Sequence, residues 1–189
     1  MKYVALLRGV NVGSKNRVKM ENLKNCFKLL QFKDIRTYLQ SGNIVFEYSQ
    51  EEPKILESLI EKALSQSLEI ETKVLIKTVE EMASIEETYP FEEKLEFSKS
   101  QIYVTFLSDL PEQNYVLAMN SSVYTDSETC LDCYRIVGKM IYVYCESGYS
   151  KTIFNNAFFE KKLKILSTTR NWKTTTQLIN LLKAIVPEK

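Results

Sequence analysis

Leu6-Leu7-Arg8-Gly9-Val10-Asn11-Val12-Gly13-Ser14-Lys15-Asn16-Arg17-Val18-Lys19-Met20 is the stretch on which the reading of this 189-residue chain turns. The apolar run of residues 2–7 ends inside it, as a short central strand does. A basic loop punctuated by Gly9 and Gly13 follows. Met20, Leu23, Phe27 and Leu30 then recur at intervals of three, four and three, the spacing of one helix face.

Outward from that stretch the pattern continues. Residues 35–39 read as a strand, Ser41-Gly42-Asn43 as a turn and 44–46 as the returning strand, giving a hairpin over 35–48. A helix is predicted over 51–66, with Pro53 in its first turn and Leu56, Leu59, Ile60, Ala63 and Leu64 on its buried face. Residues 70–77 alternate as a strand. Strand, helix, strand, strand, helix, strand is the split βαβ order of a ferredoxin-like half, an alpha-beta plait over residues 1–78. Thr78-Val79-Glu80-Glu81 has the form of a capping box and should open a short helix around Met82 and Ile85, within a connector over 79–100.

Residues 101–189 repeat the order more loosely. Strands are expected at 101–107, 129–137, 140–145 and 165–169, with helices at 111–119 and 151–163. Gly138-Lys139 turns the hairpin, which places Tyr142 and Tyr144 on one face and Ile141 and Val143 on the other. In the helix over 151–163, Phe154, Ala157 and Phe158 share a side. A last helix over 174–185 buries Leu178, Leu181, Leu182 and Ile185. The expected fold class is therefore α+β, two tandem ferredoxin-like halves, the second with an extra C-terminal helix.

Composition narrows function mainly by exclusion. The chain has no histidine, so no Ser-His-Asp or Cys-His nucleophile, no histidine base and no histidine-ligated zinc can be built. Its apolar runs are too short to span a bilayer, and a cytoplasmic location with no membrane partner is the expectation. Net charge is +1, but residues 51–99 hold thirteen acids against six bases, whereas 147–183 hold seven bases against one acid and residues 1–20 hold five bases and none. A fold that joins the basic ends presents one positive surface to a polyanion; a fold that separates them leaves alternating solvated patches.

The loop over 8–19 combines glycines that permit positive φ with a helix start and the cations Arg8, Lys15, Arg17 and Lys19, the ingredients of a phosphate or carboxylate site. Its spacing is neither G-x-x-x-x-G-K-[ST] nor G-x-G-x-x-G, so no triphosphate or dinucleotide site follows. Arg170-Asn171-Trp172-Lys173 precedes the last helix; Asn171 or Thr174 can cap it, and Trp172 between two cations either stacks a base or packs on the core. The loop over 147–152 is a weaker anion candidate, with Ser150 as an expected N-cap. Cys130-Leu131-Asp132-Cys133 stands alone at the start of a strand, and free cysteines of this kind are usually small buried hydrophobes. No metal or cofactor is implied.

Residues 5–13 with 15–20 closely resemble the opening signature of the bacterial domain-of-unknown-function family 1697 (DUF1697). Thr37-Tyr38-Leu39-Gln40-Ser41-Gly42-Asn43-Ile44-Val45-Phe46 resembles its second signature, and Thr168-Thr169-Arg170-Asn171-Trp172 its C-terminal one. Ser14 stands where a second glycine is common, and Leu166-Ser167 where Pro-Ala is common. The resemblance implies a cytoplasmic bacterial protein of two ferredoxin-like halves and no established activity.

The expected function is binding of a phosphate-bearing small molecule or single-stranded nucleic acid through Arg8, Gly9, Asn11, Gly13, Lys15, Arg17, Lys19, Arg170, Asn171, Trp172 and Lys173. The alternative is an enzyme acting on a phosphorylated or carboxylated metabolite, with Lys15 or a tyrosine moving protons and Arg8 and Asn11 positioning substrate. A protein-interaction scaffold is the third reading. Catalytic residues and oligomeric state stay open.

Overall fold

The computed structural model describes residues 1–12, 16–39, 41–49, 51–91, 98–120 and 132–184. It is a mixed α+β structure with two four-stranded antiparallel sheets and six helices among the described residues. By compactness the chain divides into Met1–Ile85 with Thr176–Lys189, and Glu86–Thr175.

The first unit contains β1 (Lys2–Leu7), α1 (Met20–Leu29), β2 (Lys33–Tyr38), β3 (Asn43–Glu47), α2 (Pro53–Leu68), β4 (Val74–Thr78) and α3 (Val79–Glu87), which runs to the boundary. Its sheet has the order β2-β3-β1-β4, with Val4 facing Val45 on one side and Lys77 on the other. Alternation along β1 sends Tyr3, Ala5 and Leu7 into a core shared with Leu23, Cys26 and Phe27 of α1 and Leu56, Ile60 and Leu64 of α2. Phe46 sits among the aromatics of that core, 4.4 Å from Phe32 and 5.5 Å from Phe27 between ring centroids. Such contacts add about 0.5–1.5 kcal/mol each to simple area burial. Val4, Leu6, Val45 and Leu75 on the opposite face are buried as well, which is why β1 is apolar at nearly every position.

The second unit repeats the order: β5 (Ile102–Leu107), α4 (Gln113–Asn120), β6 (Cys133–Val137), β7 (Met140–Tyr144), α5 (Asn156–Leu163), β8 (Ser167–Asn171) and the start of α6 (Trp172–Ala184). Its strand order is β6-β7-β5-β8. The repeat extends to single hydrogen bonds. Leu7 N donates to Gly42 O and Arg8 N to Lys73 O; correspondingly, Leu107 N donates to Lys139 O and Ser108 N to Leu166 O. At the other end Tyr48 N donates to Met1 O and Cys145 N to Gln101 O.

Each unit's last strand runs straight into a helix. Thr78 N donates to Glu81 Oε2 and Glu81 N to Thr78 Oγ1, the reciprocal capping box read from the sequence. Asn171 Oδ1 accepts from Thr174 N at 2.7 Å, so Asn171, not Thr174, caps α6. α3 is thus the counterpart of α6, and the terminal helix is a repeated element. From Thr176 onward α6 groups with the first unit, where Lys2 Nζ donates to the Leu182 carbonyl.

Three sequence expectations need correction. Leu59 is exposed, because the buried stripe of α2 is the narrower Leu56, Ile60, Leu64. The helix expected from residue 151 begins at Asn156, where Asn155 accepts from Phe158 N; Ser150 caps nothing there. Phe159 and Leu163 are the buried residues of α5 and Ala157 is exposed, while Phe154 is buried ahead of the helix and Phe158 packs partly on the same core. The expected strand residues 129–131 and Ile185 lie outside the described residues.

Gly42 has φ +68°, and a Cβ there would lie 2.8 Å from Leu7 Cβ. Gly138 also has positive φ but meets nothing within 4 Å. Gly42→Ala should therefore cost about 3 kcal/mol, and Gly138→Ala about 1 kcal/mol, in urea unfolding. Equal losses would contradict this packing.

Candidate functional site

The loop after β1 is held from both sides. The amide of Arg8 donates to Lys73 O at 2.9 Å, and its carbonyl accepts from Thr72 Oγ1 at 2.6 Å. Gly9, Asn11 and Asn16 all adopt left-handed backbone, at φ 67°, 55° and 50°. Asn11 closes the loop: its N–H donates to Asn16 O, its Nδ2 donates to Val18 O at 3.0 Å, and its Oδ1 accepts from Val18 N at 2.8 Å. Asn11 is thus a strut. Gly13 and Lys15 lie outside the described residues.

Two clefts border this loop. One, of about 530 Å³, is lined by Asn11, Arg17, Val18, Lys19 and Met20, with no carboxylate in its lining among the described residues. Arg17 and Lys19 are exposed, and Lys19 is the N-cap residue of α1, where no side chain caps the helix. The other cleft, of about 650 Å³, places Arg8, Gly9 and Asn16 opposite α2 and the segment leading into β4. From those it draws Ser58, Glu61, Lys62 and Ser65, then Glu71, Thr72 and Lys73. Sequence reading missed this second wall. Its signal was present in the i, i+3, i+4, i+7 spacing of residues 58, 61, 62 and 65, a polar stripe beside the apolar one.

The C-terminal candidates belong to the second unit and are arranged differently. Arg170 is buried on β8, where its Nη1 donates to Thr168 Oγ1 and Thr169 O, both at 2.9 Å. Burial pushes its guanidinium down to about 10. Lys77, at the same register position in the first sheet, is likewise buried, and lies 3.8 Å from Glu81. Trp172 is largely buried, its ring centroid 5.1 Å from that of Tyr89, with Lys99 Nζ 5.9 Å from the ring. Packing, not an open stacking platform, accounts for this tryptophan. Asn171 is the cap already described, and Lys173 is exposed.

The loop over 147–152 contributes Tyr149 to a polar knot. Its hydroxyl donates to Thr169 Oγ1, which lies 2.7 Å from Thr105 Oγ1 and donates to Asn156 Oδ1. Burial raises Tyr149, and also Tyr89, Tyr142 and Tyr144, which keeps these phenols protonated and unsuited as bases near neutrality. Cys145 is pushed up to about 12, mainly by burial; Cys133 is partly exposed, and Cys130 lies outside the described residues. Among the described residues no cluster of metal-ligating side chains occurs, and no helix is long and apolar enough to cross a membrane.

Residues 1–142 match the model of DUF1697, described as a protein of unknown function. The chain belongs to this family. The match spans the loop and its two clefts; Thr168–Trp172 falls beyond it. No curated protein matches the chain. Among solved structures the chain resembles the conserved bacterial protein SP0830 from Streptococcus pneumoniae, at 22% identity, a TM-score of 0.70, and 96% and 98% coverage of this chain and of that one. That likeness is one of fold.

The strut makes a direct prediction. Asn11→Ala removes two side-chain bonds across the loop and places a Cβ-bearing residue without a carboxamide at φ 55°, whereas Asn11→Gly removes the bonds and relieves the backbone. Amide exchange at Val18 should accelerate in both DUF1697 variants, with the larger loss of stability, about 1–2 kcal/mol, in the alanine form. Unchanged Val18 exchange would contradict the strut.

Proposed function

We propose that this DUF1697 protein binds a small phosphate-bearing ligand at the start of α1, in the cleft lined by Asn11, Arg17, Lys19 and Met20. The observation that carries the reading is the coincidence of two exposed cations with a helix N-terminus that no side chain caps. Backbone N–H groups and the helix dipole favour an anion there, Arg17 offers a bidentate fork, and Lys19 offers a point charge. The cleft has the size of a small-molecule site. A small ligand is preferred to single-stranded nucleic acid because the neighbouring cleft interleaves Glu61 and Glu71 with its cations, and Glu61 already neutralises Lys73, so the loop and its surroundings do not form one continuous basic track. The strand order of each sheet, with a helix between its first and second strands, a hairpin between its second and third and a helix before its last, supports assigning both halves to the ferredoxin-like class.

Titration calorimetry with inorganic phosphate, pyrophosphate and a nucleoside monophosphate tests the site. Binding should weaken about tenfold in Arg17→Ala and further in the double variant with Lys19→Ala, and should weaken as salt rises. Absence of binding by all three probes, or equal affinity in the double variant, would overturn the reading.

A further inference from the structure

The 650 Å³ cleft on the other side of the loop carries its own recognition chemistry, which does not depend on phosphate capture at α1. Three hydroxyls border it, and each already donates its hydrogen to a group that can only accept. Ser58 Oγ donates to Lys54 O, Ser65 Oγ to the Glu71 carboxylate, and Thr72 Oγ1 to Arg8 O. Each of these oxygens keeps lone pairs that can accept a hydrogen bond from a ligand in the cleft. Glu61 and Glu71 are acceptors as well, so the donors on the walls come chiefly from the cations and from Asn16.

Charge then decides what else the ligand carries. Lys73 Nζ lies 2.8 Å from Glu61 Oε2, while Glu61 Oε1 accepts from Val74 N, so that pair is internally neutral and held to the backbone. Arg8 and Lys62 remain against Glu71, an excess of one positive charge. Arg8 is positioned by rigid parts, its amide and carbonyl clamped by Lys73 and Thr72. Asn16 is tied by Nδ2 to the Glu71 carbonyl. Gly9 leaves open space where a Cβ would stand, so loop backbone is bare beside the cleft.

We propose that this cleft binds a small hydroxylated anion, its acidic group between Arg8 and Lys62 and its hydroxyls donating to Ser58, Ser65, Thr72 and Glu71. A sugar phosphate and a sugar acid share that chemistry. The cleft's volume falls in the range of small-molecule sites.

Titrations with ribose 5-phosphate, gluconate, inorganic phosphate and acetate, followed by backbone amide NMR shifts, test this on the full chain. At least one hydroxylated probe should bind with a dissociation constant of about 1 mM or tighter, shift the Gly9 and Thr72 amides, and bind at least about tenfold more tightly than the simple anion bearing the same acidic group. Ribose 5-phosphate alone would identify a sugar phosphate, gluconate alone a sugar acid. Arg8→Ala and Lys62→Ala should each weaken binding about tenfold. Lys62→Ala, a change at an exposed helix position, guards against loss of fold at Arg8. Equal affinity for hydroxylated and simple anions, no binding by any probe, or retention of affinity in Lys62→Ala would overturn the proposal. The Arg17 and Lys19 variants should leave these shifts in place, which separates this cleft from the one at α1.

Discussion

The end of β1 is clamped between two neighbours. Leu7 N donates to the carbonyl of Gly42, and Arg8 N to that of Lys73, so the turn of the β2–β3 hairpin and the approach to β4 both close on the point where the strand becomes loop. Gly42 can come so near only because it lacks a Cβ, which would collide with Leu7. The hairpin turn at Gly42, far along the sequence, is therefore a brace for the loop. The loop's left-handed residues, the Asn11 strut and the position of Arg8 all start from that clamp.

The second unit shows what the clamp does without the loop. Leu107 and Ser108 make the same pair of bonds, to Lys139 and Leu166, yet a serine stands where the first unit has Arg8. Five residues then separate β5 from α4, against twelve between β1 and α1. One architecture is repeated, and at the clamped position itself the first unit has the cation Arg8 where the second has Ser108. The buried Lys77 and Arg170 go the other way, since both copies keep a cation at the same register position on the last strand.

Much of the fold was legible because local patterns and burial agree. β1 was read to the residue, and the capping box at Thr78 and Glu81 was visible from spacing alone. Errors arose where a local signal had a competitor. Leu59 lies on the edge of the α2 stripe, where apolar character does not ensure burial. Ser150 and Asn155 are both good N-caps, and the sequence does not say which of them meets an N–H. Trp172 between Arg170 and Lys173 offers both a stacking surface and a core plug, and Tyr89 settles the matter by packing against it.

Sequence alone determined the order of elements, the absence of histidine chemistry and the presence of a glycine-bearing basic loop, because these depend on residue type and near-neighbour spacing. Tertiary structure decided which cations share a cleft. Arg8 meets Lys62 across the space beside α2, Arg17 and Lys19 line a separate cleft at the start of α1, and Arg170 is buried in the other unit. Residues adjacent in the chain can face opposite sides of one turn, and a helix fifty residues away can supply the wall. That distance is crossed only when α2 packs on the sheet.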